Sequence, residues 1–218
     1  MIGDSRKMIT MMKFTPSFDI ENRHDGIVAG IDEAGRGPWA GPVVAAAVIL
    51  DPANMPEGLN DSKTISEKKR DVIAAEIRAK AVVGVGIASV DEIDEINILQ
   101  ATFLAMKRAK AGLSVTPDIC IIDGSAKPKL DTPIEMVVKG DAKSFSIAAA
   151  SIIAKTVRDQ MMRDLAKIHP EYAWEKNKGY GAPAHRAALE IHGVTPHHRK
   201  SYAPIHNILY PEGKIAAR

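Results

Sequence analysis

The chain alternates short apolar runs with longer segments whose apolar residues recur every three or four positions. Residues 26–33 form an apolar run closed by two acids, Asp32 and Glu33, and read as a buried strand. Ala34-Gly-Arg-Gly-Pro38 breaks it, because Gly and Pro interrupt regular structure. Residues 42–50 are short, apolar and lack a preceding helix cap, so they read as a hairpin partner of the first strand. A Pro/Gly/Asn loop spans residues 51–60. Ser66 then caps a helix that carries Val72, Ile73 and Ile77 on one face. Residues 81–90 read as a third strand. Residues 91–111 read as one or two helices, with Ile93, Ile96, Leu99, Phe103 and Met106 near helical spacing. Strands follow at 117–123, again ending in an acid, and at 134–138, just before Lys139-Gly-Asp141.

The longest helical pattern is 143–169. Its stretch Ala148-Ala-Ala-Ser151 allows close packing on a sheet, and Ile152, Val157, Met161 and Leu165 continue the apolar face. After Pro170 the chain turns polar and aromatic, with one short helix near 184–192. Strands first, then alternating helices and strands, predict an α/β sandwich with a mixed sheet. Candidate acids fall at strand ends, where open α/β sheets build their sites.

With 218 residues the chain is expected to form one domain, and 45% hydrophobic against 5% aromatic content predicts an aliphatic core. The 29 basic and 27 acidic residues nearly balance at +2, so an acidic partner would have to meet a local basic surface. The single cysteine, Cys120, lies in an apolar run and reads as a buried, inert thiol, which fits a reducing cytoplasm. Apolar runs fall well short of the roughly 20 residues of a membrane span. Residues 1–25 are polar with scattered methionines, lack the features of a signal peptide, and read as a flexible tail.

Asp32, Glu33, Asp123 and Asp141 each follow an apolar segment and lie beside Gly or a turn. Four carboxylates share a small volume only if cations neutralise them or some are protonated. Mg²⁺ takes oxygen ligands, and two such ions about 4 Å apart can drive an in-line phosphodiester displacement. The plain alternative is four solvated acids at strand ends. Neighbours in a regular strand point to opposite faces, so Asp32 and Glu33 share a site only if the strand bends or ends there. Gly35-x-Gly37-x-x-Ala40 loosely matches a dinucleotide-binding loop, but Pro38, Pro42 and a following strand argue against it. Two glycines around Arg36 can instead bring backbone amides close to a sugar or phosphate.

The segments Gly30-Ile-Asp-Glu-Ala-Gly-Arg-Gly-Pro38, Asn60-Asp-Ser-Lys63, Ile122-Asp-Gly124, Lys139-Gly-Asp-Ala-Lys143, Ala148-Ala-Ala-Ser-Ile-Ile-Ala-Lys155, Lys178-Gly-Tyr-Gly181 and Thr195-Pro-x-His-Arg199 resemble, in order, those of bacterial ribonuclease HII. They span roughly residues 26–209. The resemblance implies a ribonuclease H-like fold, a mixed central sheet flanked by helices, with a helical C-terminal extension. It implies a tail at 1–25, a catalytic domain at 26–169 and the extension at 170–218. It implies Mn²⁺ or Mg²⁺ dependence, two ions in the catalytic complex, and Asp32, Glu33, Asp123 and Asp141 as metal-binding catalytic acids. The implied substrates are RNA–DNA hybrids and duplex DNA containing ribonucleotides, cut 5′ to the ribonucleotide to leave 3′-hydroxyl and 5′-phosphate ends. Gly35, Arg36 and Gly37 then read the 2′-hydroxyl, and Tyr180 stacks on the following deoxyribose. Lys63, Lys143, Lys155 and Arg199 become contacts along the duplex. A cytoplasmic monomer is expected.

Three alternatives stand beside this reading. Adjacent His197 and His198, read as surface residues, can be imagined as the acid and base of a metal-free ribonuclease. A non-catalytic hybrid-binding module on the same fold would be expected to have lost acids, and all four are present. The sister family ribonuclease HIII carries an extra N-terminal domain, for which the 25 residues before Gly26 are too few.

Overall fold

A computed structural model describes residues 15–59 and 65–213. Its sheet is built from β1 (Val28–Ala34), β2 (Val43–Ile49), β3 (Val82–Ala88), β4 (Ile119–Asp123) and β5 (Ile134–Val137). The strand order is β3-β2-β1-β4-β5. The β1–β2 and β2–β3 pairs are antiparallel, and the β1–β4 and β4–β5 pairs are parallel. The expected hairpin and mixed sheet are therefore present. β2 carries no polar residue and is buried along nearly its whole length, because it is covered on both faces and paired on both edges.

Helices α1 (Glu67–Lys80), α2 (Val90–Ala111) and α3 (Phe145–Ile168) make the outer layers. Ala29, Ile31, Cys120 and Ile122 pack with Ile93, Ala101 and Ala105 of α2 on one face. Ala46 and Val48 pack with Ala149, Ile152 and Ile153 of α3 and with Ile73 and Ile77 of α1 on the other. A β-carbon at Gly30 would run into the α3 backbone at Ser146 and Ile147, so glycine there lets α3 seat directly on β1. Burial pushes the Cys120 thiol up to about 11, in keeping with an inert core residue.

Local chemistry explains the boundaries. Ser66 caps α1 by accepting from the Lys69 N–H. Ser89 and Glu92 form a reciprocal capping box on α2, which starts one residue before the expected 91. Asn97 interrupts α2 with φ 68°, and its Oδ1 accepts from the Leu99 and Gln100 N–H groups, recapping the second segment. That is why the pattern admits one helix or two.

The extension after α3 contains α4 (Trp174–Asn177), α5 (Pro183–His192) and α6 (Ala203–Leu209). Tyr172, Trp174, Leu189 and Ile205 bury themselves against Ala40, Met162 and Ala166 at the far end of α3. Two features depart from expectation. α4 and α6 were not visible as periodic patterns, since helices of 4 and 7 residues complete barely one or two turns. The residues just before β1 are also packed: Ile20 and Glu21 are buried, and Glu21 accepts from the Ser144 hydroxyl and Ser146 N–H at the start of α3. Among the described residues, no helix is long and apolar enough to cross a membrane.

Candidate active site

β1 pairs with β4 as far as Ile31 opposite Ile122, so Asp32 and Asp123 are the next residues on neighbouring parallel strands. Asp32 lies opposite Ala46, which faces α3, and Glu33 lies opposite Ala45, which faces α2. The two acids thus diverge as strand neighbours must. They nevertheless share a cavity of about 370 Å³, because β4 ends at Asp123 and leaves that edge of β1 open. No bend is required. Glu33 also lines a second, smaller cavity with Leu99, Phe103 and Met106 of α2, which places it on the rim between the two faces.

The larger cavity gathers Asp32, Glu33, Asp123, Gly35, Arg36, Gly37 and Tyr180, with Ser151, Lys155 and Arg158 contributed by α3. Burial holds the Asp32 carboxyl well above the usual carboxylate range, and the charges of Glu33 and Asp123 push it further. The Ser151 hydroxyl and the Glu33 N–H pull it back. Asp123 Oδ1 accepts from the Gly140 N–H at 2.6 Å. Asp141 follows that glycine on the turn Gly140–Ala142 and is buried, but it does not line the cavity. Three of the four expected acids therefore share one wall, and the fourth adjoins it through the backbone. Among the described residues, no three Asp, Glu, His or Cys side chains are already grouped to hold a metal. The donor set still fits a hard divalent cation: it is all carboxylate oxygen, and the charge of Asp32 is destabilised by burial and by its like-charged neighbours.

The glycine loop is held from behind. Arg158 donates to the carbonyls of Ala40, Pro42 and Lys178 at 3.0–3.1 Å. Arg199 donates to those of Gly35, Arg36, Gly41 and Pro42. Gly35 has φ +98°, and a β-carbon there would collide with the Arg158 side chain, so only glycine fits. Arg36 is half-exposed and pairs with Glu33 at 3.3 Å. Tyr180 is 52% exposed.

The basic residues expected along a duplex fare differently. Arg199 is corrected: it is fully buried, and its donors hold loop carbonyls and the Tyr202 hydroxyl, so it does not face a duplex. Lys155 lines the cavity but is paired with Asp159 at 2.6 Å, which also binds Arg70. Lys143 donates to the Val138 carbonyl and is absent from the cavity wall. Lys63 lies outside the described residues. His198 is also corrected from surface to core, with 0% exposure. Sequence reading missed Ser151 and Arg158 as site residues. Ser151 stood inside a small-residue stretch whose packing role was sufficient to explain it.

Burial, and then the neighbouring His185, press the His198 imidazole down to about 3. The unfolded chain would protonate it near 6.5. Between these values the unfolded state binds the extra proton, so stability is complete above about pH 6.5 and declines as pH falls. Urea unfolding at pH 7.5 and 5.0 is expected to show a loss of about 2 kcal/mol from this residue. The His198→Phe variant should flatten that slope.

An α/β sandwich with carboxylates at the open edge of its central strands defines the class: a ribonuclease H-like protein. The chain matches the family model for ribonuclease HII over residues 29–205. It is 57% identical over 195 residues to the ribonuclease HII of Jannaschia sp. (strain CCS1), covering 89% of this chain and 98% of that protein. The crystal structure of ribonuclease H2 from Pyrococcus horikoshii OT3 superposes with a TM-score of 0.73 at 26% identity, covering 84% of this chain and 96% of that one. Bst-RNase HIII in complex with Mn²⁺ shares the fold, with a TM-score of 0.67 at 20% identity over 86% of this chain and 70% of that one. This chain belongs to the ribonuclease HII family and is a ribonuclease H enzyme.

Proposed function

We propose that the enzyme cuts the RNA strand of RNA–DNA hybrids and nicks duplex DNA 5′ to embedded ribonucleotides, leaving 3′-hydroxyl and 5′-phosphate ends. One observation carries the reading: Asp32, Glu33, Asp123, the Gly35–Gly37 loop and Tyr180 all open onto the same cavity. Asp32, Glu33 and Asp123 would hold divalent cations, Mn²⁺ or Mg²⁺, with Asp141 joining from the adjacent turn. Two such ions, when bound, would supply an activated water and charge stabilisation for the leaving oxygen.

The remaining work falls to the chain. The Gly35 and Arg36 carbonyls are taken up by Arg199, and the loop amides would meet the 2′-hydroxyl, the group that distinguishes RNA from DNA. Tyr180 offers a half-exposed ring beside Gly37 to stack on the following deoxyribose. A monomer working in the cytoplasm is part of the same reading.

A duplex with one ribonucleotide tests it, incubated with Mn²⁺ and then with EDTA. Cleavage should require the metal and yield 5′-phosphate ends. Metal-independent cleavage giving cyclic phosphate would instead support paired-histidine chemistry. Geometry disfavours that alternative, because His198 is buried with both ring nitrogens bonded inside the protein. Tyr180→Ala should lower nicking at the single ribonucleotide by about 5- to 150-fold, the range given by a loss of roughly 1–3 kcal/mol of stacking. Cleavage of a long uniform hybrid should fall much less, and the melting temperature should hardly move. An unchanged junction preference would remove Tyr180 from the site.

A further inference from the structure

Two consecutive residues reach both elements that face the substrate. His198 forms a β-bridge with Ala40, and the Arg199 N–H donates to the Trp39 carbonyl at 2.8 Å. From this anchored segment the Arg199 side chain binds the carbonyls of Gly35 and Arg36. The His198 side chain leads to the other element. Its Nδ1 accepts from the Thr195 N–H at 3.0 Å, so the neutral ring carries its proton on Nε2. That proton is donated to His185 Nε2 at 2.9 Å. His185 therefore carries its own proton on Nδ1, which it donates to the Tyr180 carbonyl at 2.9 Å.

Both ends of this relay demand the same tautomers. A backbone N–H can only donate and a backbone carbonyl can only accept. Trp174 Nε1–H, donating to His185 Nε2 at 3.3 Å, agrees with the same assignment. Tyr180 is otherwise held through its N–H to the Asn177 carbonyl and through its carbonyl to the Ala182 N–H. Its ring stays half-exposed over the glycine loop.

We propose that His198 and Arg199 act together as positioning residues that set Tyr180 at a fixed distance from the Gly35–Gly37 loop, and that this spacing sets the preference for an RNA-to-DNA step. The inference rests on the roles given above to Tyr180 and the loop. A merely structural histidine pair would affect stability and leave substrate preference unchanged.

The test compares nicking at a single ribonucleotide in duplex DNA with cleavage of a uniform hybrid, both with Mn²⁺. The pair His185→Phe/His198→Phe fills the space and leaves no imidazole nitrogen unpaired, although the Trp174 Nε1–H and the Thr195 N–H lose their acceptors. It should lower the ratio of the two rates about tenfold, within the range that lost stacking gives. Adding Tyr180→Ala should cost little more, because both changes act through one contact. His198→Gln, whose amide can accept from Thr195 and donate to His185, should restore most of the ratio. An unchanged ratio in the double Phe variant, or losses that multiply with Tyr180→Ala, would overturn the proposal. If Tyr180→Ala alone leaves the ratio intact, the reading of Tyr180 fails and takes the inference with it. If Tyr180→Ala lowers the ratio and the Phe pair does not, the inference alone falls. Should the Phe pair not fold, the single variant His198→Leu is read by the same ratio, a fall supporting the proposal and an unchanged ratio overturning it; ¹⁵N NMR showing protons on His198 Nδ1 and His185 Nε2 in the unmodified protein would also exclude the relay.

Discussion

Asp123→Asn is expected to lower cleavage of a single-ribonucleotide duplex by about 10³-fold while leaving affinity for the uncut duplex within a few-fold. The reason is electrostatic. Asp123 stands beside Asp32 at the ends of two parallel strands, and its charge helps make the site attractive to divalent cations. An amide keeps the shape and can still accept from the Gly140 N–H, but it brings no charge. Metal-based stabilisation of a phosphoryl transition state is worth several kcal/mol, and about 4 kcal/mol corresponds to about 10³ in rate. The substitution also removes one of the two charges that raise the Asp32 carboxyl. The folded protein should therefore lose little stability, which circular dichroism and a thermal melt will show. Cleavage by Asp123→Asn at the unmodified rate would mean that Asp123 is not a ligand. Equal loss of duplex affinity would mean that the residue binds substrate and does not act in the chemical step.

Arg199→Met is expected to destabilise the fold by about 3–5 kcal/mol, because hydrogen bonds from a charged group contribute roughly 1.5–3 kcal/mol each and several buried ones are lost together. The methionine replaces much of the volume, but the carbonyls of Gly35 and Gly41 lose their Arg199 donors, while Pro42 keeps Arg158 and Arg36 keeps the Tyr202 hydroxyl. Each carbonyl left unsatisfied costs about 1–3 kcal/mol unless water or a backbone shift relieves it. For a chain of this size each kcal/mol lowers the melting temperature by roughly 2–4 °C, so a drop of about 10 °C or more should appear by calorimetry. Activity at a temperature where the variant remains folded should also fall, because the loop would lose its fixed orientation. A melting temperature within about 2 °C of the unmodified protein would show that these carbonyls find other partners at little cost.

The two expected results differ in how far the sequence foresaw them. Asp123 was legible: it closes an apolar run of strand length, and residues 119–123 form β4. The same logic placed Asp32 and Glu33 at the end of β1, and the short apolar run after Pro42 correctly became its hairpin partner. Caps at Ser66 and the Asn97 break in α2 depend on neighbours within three residues, so their signals also lie in the local sequence. Arg199 was misplaced. Its motif suggested a duplex contact, whereas the structure buries it under a loop about 160 positions away, with separations of 157 to 164 residues to its carbonyl partners. A basic side chain in a polar segment carries no mark of whether it will face solvent or backbone.

Taken alone, the sequence determined the α/β layering, the hairpin, the acids at strand ends and the glycine loop, because periodicity, turn chemistry and capping are properties of neighbouring residues. Tertiary structure decided the rest. It showed that Asp32 and Glu33 face opposite ways and still share a cavity, because β4 stops at Asp123. It set Asp141 just off that wall, turned Arg199 inward and buried His198. Each outcome depends on which strand ends beside which and on which distant carbonyl lacks a donor. Those facts come into being only when separate segments of the chain are packed together, as Arg158 and Pro42 are at a separation of 116.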